Sequence, residues 1–510
     1  MKIEYVCHSC LYIDTGDTTI AFDPWYNGSA YYNQWHVFPK PVNTGMLESV
    51  KNILITHGHE DHLHENTLKL LPKDARVFYP YQWRNGIESF FGTIGFNNLT
   101  EAVSFKEYQV SPTTKITYIG FALESLVVIE CNDKVIVNLN DALNSHHQNV
   151  VEMFLREIIK RWPKIDYLFS GWSGAGYFPN TVHYKTKNDY EIGQIREQYF
   201  ANHFCKIVKR LNPKVAIPFA PGFVLLSPDK RWINEVKFPR EVLAGYYKEH
   251  YDPDNKIDFK VIYPGDYFLD DQFHKTSPCY AQMVDGSLNH TVDQVYAKEI
   301  EQSKIVEYID ERDVEVLTGK MDKYLNENAR LFDEVVLKDA RFAVRLNDLK
   351  KNSFFNISYT SNRFNVSRSN GFLEDNKLLI RTNSKLLNFS LDSEWGGDAL
   401  TIGYGIDVDV FEESTLEKNL DIVCVRLLTR YPTASENLVK HPFRAMKYFI
   451  TNPLLSQLAI KQKFLMRSQV NKFPYNERDH WVSYSKCDLC KVCDMPLLSF
   501  EFGEQLGVAS

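Results

Sequence analysis

The apolar run Asn52–Thr56 leads straight into His57-Gly58-His59-Glu60-Asp61-His62, and no other stretch of this 510-residue chain limits its fold and chemistry so strongly. On extended backbone, residues i and i+2 face the same side, so His57 and His59 can hold one metal ion. Glu65–Leu71 reads as a helix, and the turn into it redirects Asp61 and His62 toward a second metal position close by. Three of the chain's 15 histidines fall within these six residues, with an aspartate beside the third, which a solvated loop with accidental histidines explains poorly.

The composition describes the scaffold around this loop. Hydrophobic residues at 44% and charged residues at 24% exclude a disordered, collagen-like or coiled-coil chain. A net charge of −7, from 58 basic and 65 acidic residues, gives no electrostatic footprint for nucleic acid or an anionic membrane surface. No apolar run approaches the roughly 18 residues needed to cross a bilayer. The opening MKIEYVCHSC lacks a charged-then-apolar leader, so no signal peptide is expected. Nine cysteines, an odd number, fit a reduced cytoplasmic protein better than a disulfide scaffold.

Periodicity predicts short strands at Ile3–Val6, Leu11–Asp14 and Thr18–Phe22, with Thr15-Gly16-Asp17 turning between the last two. Further strands are expected at Lys115–Ile119, Ser125–Glu130, Lys134–Val137, Tyr167–Ser170 and Lys214–Pro218, and helices near Val150–Arg161 and Ile192–Leu211. Strands followed by alternating strands and helices suggest two sheets flanked by helices. Past residue 290 the character changes: Asp293–Asn326 is charged and helical, Phe332–Ser393 reads as short strands, and helices return from Leu416. The expected units are a catalytic domain over 1–290, an α+β accessory or lid domain over 291–415, and a helical segment over 416–510.

The HxHxDH run after a strand resembles the signature of the metallo-β-lactamase superfamily. Cys7-His8-Ser9-Cys10 before an apolar strand, followed by Ile20–Pro24 (IAFDP), resembles that family's opening strands and its Asp-Pro turn. The resemblance implies an α/β fold, the αββα sandwich, with a dinuclear metal site on its edge and a C-terminal α+β extension beyond it. It implies that Asp23 orients the metal-binding loop without being a ligand. It also implies a bridging carboxylate at a later strand end, a position Asp141 takes in Val135–Asp141 (VIVNLND). Common hydrolases of the family place a further histidine before the preceding hairpin. No histidine lies between His64 and His146, and Glu124 falls there instead. Such a carboxylate hardens the ligand set and suits iron or manganese better than zinc. The family's last histidine is missing too, since Lys214–Phe223 reads KVAIPFAPGF. The second metal is then left with Asp61, His62, Asp141 and an open or unidentified position, for which His183 and Asp266 are spare candidates.

These departures point to a narrower resemblance. Phe121–Asp141, Phe169–Pro179 (FSGWSGAGYFP), Ile217–Phe223 and Trp395–Gly405 (WGGDALTIGYG) are similar to the CMP-N-acetylneuraminate hydroxylase family. The glutamate-for-histidine exchange also resembles the dinuclear-iron β-hydroxylases of the same fold. The resemblance implies an iron-dependent oxygenation of a small organic substrate. Rieske ligand pairs, Cys-x-His and Cys-x-x-His, are absent from the sequence, so electrons are expected from a separate electron-transfer protein. In this reading His57, His59 and Glu124 hold one iron, Asp61 and His62 the other, and Asp141 bridges, with Asp61, His62, Glu124 and Asp141 nearest the chemistry. The alternative is a zinc or manganese hydrolase of an ester, lactone or phosphodiester, in which metals activate a water that Asp61 orients.

Three weaker constellations remain. Cys487, Cys490 and Cys493 have spacing suited to an additional metal, to a redox pair, or to unrelated thiols in a turn. Ser173-Gly174-Ala175-Gly176-Tyr177 is either a backbone cradle for an anionic substrate or an ordinary turn. His146-His147 follows Asp141 closely and reads as a solvated pair or as part of the site rim.

Overall fold

The structure is a computed structural model. It describes residues 1–456 apart from 83–85, 122–123, 145–147, 179, 185–187, 255, 283–287, 333, 352, 413, 418–419, 431–440 and 455. Cys487, Cys490, Cys493 and the pair His146-His147 lie outside the described residues.

Two sheets face each other across the N-terminal half. The first has eight strands, in the order Gln272–His274, Tyr267–Leu269, Lys2–Cys7, Cys10–Asp14, Thr19–Phe22, Asn52–Leu54, Arg76–Pro80 and Leu99–Ala102. The second has seven, in the order Asp258–Phe259, Val215–Pro218, Tyr167–Ser170, Lys134–Asn140, Glu124–Cys131, Thr114–Phe121 and Glu107–Ser111. Alternation along the strands decides what each face meets. Val127, Ile129 and Ile136 point between the sheets and pack with Ile13, Phe22 and Leu54. Leu126, Val128, Val137 and Leu139 point outward, against Phe154 and Ile158 of the helix Gln148–Arg161 and Phe204 and Val208 of the helix Asp189–Leu211. On the far side, Ile53 and Val77 meet Leu68 and Phe91. With both faces covered, the central strands read as nearly continuous apolar runs. The result is the expected αββα sandwich.

A third, six-stranded sheet orders Val182–Tyr184, Ile406–Val410, Leu378–Thr382, Phe342–Leu346, Phe354–Thr360 and Arg363–Ser369. The helices Glu311–Ala329 and Ser384–Asp392 pack on it through Leu317, Met321 and Leu387. Its first strand comes from the N-terminal half and pairs in parallel with Ile406–Val410, so the two halves share a sheet. The stretch Phe332–Ser393 is therefore not all strand: helices cover Glu334–Asp339 and Ser384–Asp392. The second starts at a cap, Asn383, whose side chain accepts from the Lys385 amide. No helix among the described residues is long and apolar enough to cross a membrane.

Candidate metal centre

The loops that follow Lys2–Cys7, Thr19–Phe22, Asn52–Leu54 and Lys134–Asn140 converge at one end of the sandwich, and they bring His8, Asp23, His57–His62 and Asp141 together. Several of the turning residues adopt positive φ, including His8 (47°), Asp23 (32°) and Asn140 (48°). Such backbone is uncommon outside glycine and clusters where side chains must be aimed.

Asp23 is the hub. Its Oδ1 accepts from the Thr56 amide and its Oδ2 from the Thr56 hydroxyl, each at 2.7 Å. The same Oδ2 meets Nδ1 of His62 at 3.1 Å and the Asn140 side-chain amide. The Ser125 hydroxyl holds the Thr56 carbonyl at 2.5 Å, which fixes the start of the loop. This is the orienting role the family resemblance implies for Asp23. It leaves Nε2 of His62 turned toward Asp141 Oδ2 and Asp61 Oδ2, both at 3.1 Å.

Among the described residues, two triads bring ligand atoms within 4.8 Å of one another: His57, His62 and Asp141, and His8, Asp61 and His62. His57 Nε2 is 3.9 Å from Asp141 Oδ2, and the His57 ring lies 4.5 Å from that of His59 and 4.0 Å from that of His62, between centroids. His57 is 1% exposed, and its Nε2 has no hydrogen-bond partner among the described residues. A buried nitrogen without a partner carries a desolvation cost that a metal ion would relieve.

The charges point the same way. Burial, and then the neighbouring His62 and His59, hold the His57 imidazole well below its ordinary range, in the neutral form a metal requires. Burial opposes ionisation of Asp61, but His62 and His8 overcome it and hold the carboxylate well below the usual range. Burial likewise opposes protonation of His62, which Asp61 and Asp141 raise well above the ordinary value. Glu124 opens the strand Glu124–Cys131; burial and the Asp141 charge push it up to about 8, with His62 acting against them. A carboxyl crowded in this way favours a neighbouring cation. The residues present therefore fit metal ions.

The spare candidates lie elsewhere. Both ring nitrogens of His183 are engaged, by Asp189 at 2.7 Å and by Asp407 at 2.9 Å, in the sheet shared by the two halves. Asp266 is fully buried and accepts from the amides of Tyr263, Thr276 and Ser277 and from the Tyr280 hydroxyl, which leaves it a purely structural task. His8, which the sequence does not single out, is the further group that lies beside Asp61 and His62. The sequence carries it inside Cys7-His8-Ser9-Cys10, and only the fold brings it to Asp61. The glycine loop also resolves: Arg196 donates to the carbonyls of Gly174 and Ala175, and a Cβ at Gly174 would sit 2.2 Å from the Phe200 ring. That glycine serves close packing.

A cavity of about 600 Å³ opens beside His57 and His59. Tyr31 and Phe90 line it from the N-terminal half, and Phe389 and Trp395 from the C-terminal half.

Residues 2–142 match the family described as the beta-lactamase superfamily domain. That stretch carries a beta-lactamase superfamily domain, in the part of the chain that holds the histidine cluster. Among similar proteins, the cytidine monophosphate-N-acetylneuraminic acid hydroxylase of Danio rerio is 25% identical over 250 residues, covering 46% of this chain and 40% of the relative. The hydroxylase of Mus musculus is 25% identical over 259 residues, covering 46% and 41%. The match thus spans less than half the length of these curated relatives. A mutant of the CmlA beta-hydroxylase is similar in structure with a TM-score of 0.38 and 18% identity, over 52% of this chain and 53% of that one.

Proposed function

We propose that this chain is a dinuclear non-haem iron oxygenase of the metallo-β-lactamase superfamily that oxidises a small organic substrate with O₂ and electrons from a separate protein. The observation that carries the reading is the half-buried Glu124, close enough to Asp141 and His62 to feel their charges, where common hydrolases of the fold place a histidine. The donor set then holds three histidines and three carboxylates, an oxygen-rich shell that suits iron or manganese over zinc. The similarity to hydroxylases supports the same choice. His57, His59 and Glu124 would hold one iron, Asp61 and His62 the other, with Asp141 between them. Two irons so held would supply the reduction of O₂. Asp23 keeps the His62 ring in place, itself held by the Asn140 side-chain amide, and the adjoining cavity admits the substrate between the sandwich and the C-terminal half.

The reading is tested by O₂ consumption of iron-loaded protein with a chemical reductant. Uptake that depends on the reductant and disappears in His59→Ala supports it, and uptake that His59→Ala leaves unchanged removes the site assignment.

A metal-dependent hydrolase is the second reading, favoured by Asp61, whose carboxylate His62 and His8 keep ionised and which His8 and Tyr31 aim. Such an anion can orient an attacking water. Turnover of esters, lactones or phosphodiesters by zinc-loaded protein, with no O₂ uptake by the iron form, would decide for it.

A further inference from the structure

The segment Phe219–Gly222 follows the strand Val215–Pro218, where the superfamily resemblance calls for a histidine and the sequence has none. It supplies a backbone amide instead. Gly222 N–H donates to Nδ1 of His8 at 2.9 Å. The approach leaves no room for a side chain: a Cβ at position 222 would lie 2.8 Å from His8 Cα and 2.9 Å from its backbone nitrogen. Only glycine fits there.

This contact fixes the chemistry of the imidazole. A neutral histidine whose Nδ1 accepts a hydrogen bond carries its proton on Nε2 and has no lone pair free there. That Nε2 faces Asp61 Oδ2 at 2.9 Å, as a donor. The other carboxylate oxygen, Oδ1, accepts from the Tyr31 hydroxyl at 2.5 Å. His8, Tyr31 and Asp61 are 2%, 1% and 3% exposed, and the Trp25 ring packs on His8 with centroids 4.8 Å apart. Distance alone would make His8 a third ligand beside Asp61 and His62. The proton position makes it a donor to one.

We propose that His8, held by the Gly222 amide, is a positioning residue of the second metal position: it fixes the Asp61 carboxylate by donation and is not itself a ligand. Metal binding at that position then rests on Asp61, His62 and the shared Asp141, which is fewer protein groups than the first position has. The two positions bind metal with unequal affinity, and the weaker keeps coordination open. This inference rests on the dinuclear reading of the site.

The test is titration of the metal-free full chain with Co(II) alone, followed by visible absorption and by metal analysis. Wild type takes up two Co(II) per chain in two separable steps. His8→Gln places a side-chain N–H near the old Nε2, so it holds the weaker step within about threefold. His8→Leu weakens that step by roughly 10- to 100-fold, the range for losing a hydrogen bond that orients a ligand, and leaves the tighter step in place. Tyr31→Phe, which removes the other donor, shifts the same step in the same direction. Should His8→Leu not fold, His8→Asn replaces it, because asparagine still accepts from Gly222 but stops short of Asp61. Equal loss in His8→Gln and the disruptive variant would make His8 a ligand and overturn the proposal, as would a disruptive variant that binds like wild type. Uptake of a single Co(II) by wild type would overturn the dinuclear reading and this inference with it.

Discussion

Nδ1 of His62 lies 3.1 Å from Oδ2 of Asp23, the oxygen that also accepts the Thr56 hydroxyl, so a buried carboxylate contacts both the start and the end of the metal loop. The contact places the proton of His62 on Nδ1 and leaves Nε2 for a metal. Asp23→Asn keeps the volume and loses the charge. It is expected to weaken metal binding by about 10- to 100-fold, measured by equilibrium dialysis, with the folded state retained. Wild-type affinity in this variant would mean that the loop holds its shape without Asp23.

In the proposed site, Glu124 would set the character of the first metal position. Glu124→His is expected to move metal content from iron toward zinc in cells grown with both, because an imidazole softens the ligand set. Metal analysis of the purified variant reads the shift directly. An unchanged iron-to-zinc ratio would place Glu124 outside the coordination sphere.

His183 joins the two halves of the molecule. Burial works against its charge, but Asp189 and Asp407 outweigh it and push its pKa up to about 9. A histidine raised on folding contributes stability that is fully present below its unfolded value of about 6.5 and is lost as pH rises through its folded value. Thermal stability is therefore expected to fall between pH 7 and 10, and His183→Asn should remove the part of that fall due to this group. Parallel melting curves of the two proteins over that range check it; identical slopes would show that His183 is not the titrating group.

Gly222→Ala forces a methyl group against the backbone of His8, which cannot move aside as a flexible side chain would. The expected cost is about 2 kcal/mol or more in unfolding free energy, the range for a buried clash. Urea unfolding measures it, and a cost under about 0.5 kcal/mol would mean that the two loops separate easily.

The metal loop was legible because its information is local: His57, His59, Asp61 and His62 stand within six residues, after an apolar strand. Asp141, which the family resemblance placed at the end of a later strand, lies near His57 and His62 in the structure. The sandwich strands were legible for the same reason, since Lys134–Asn140 and Tyr167–Ser170 are apolar runs with sharp ends. His8 was not, because its partners are 53 and 214 positions away and nothing within Cys7–Cys10 encodes them. His183 looked available in sequence for the opposite reason, as Asp407, 224 positions on, was unseen. Ser384–Asp392 was misread as strand although its asparagine cap was present, because apolar and polar residues alternate too loosely there to separate the two periods.

The central claim is that this site holds two irons. Metal analysis and a Mössbauer spectrum of protein purified without oxygen test it most directly. The account predicts about two irons per chain, with a spectrum that changes on reduction and again on exposure to O₂. About two zincs per chain, with no signal that responds to O₂, would contradict it and leave the hydrolase reading in its place.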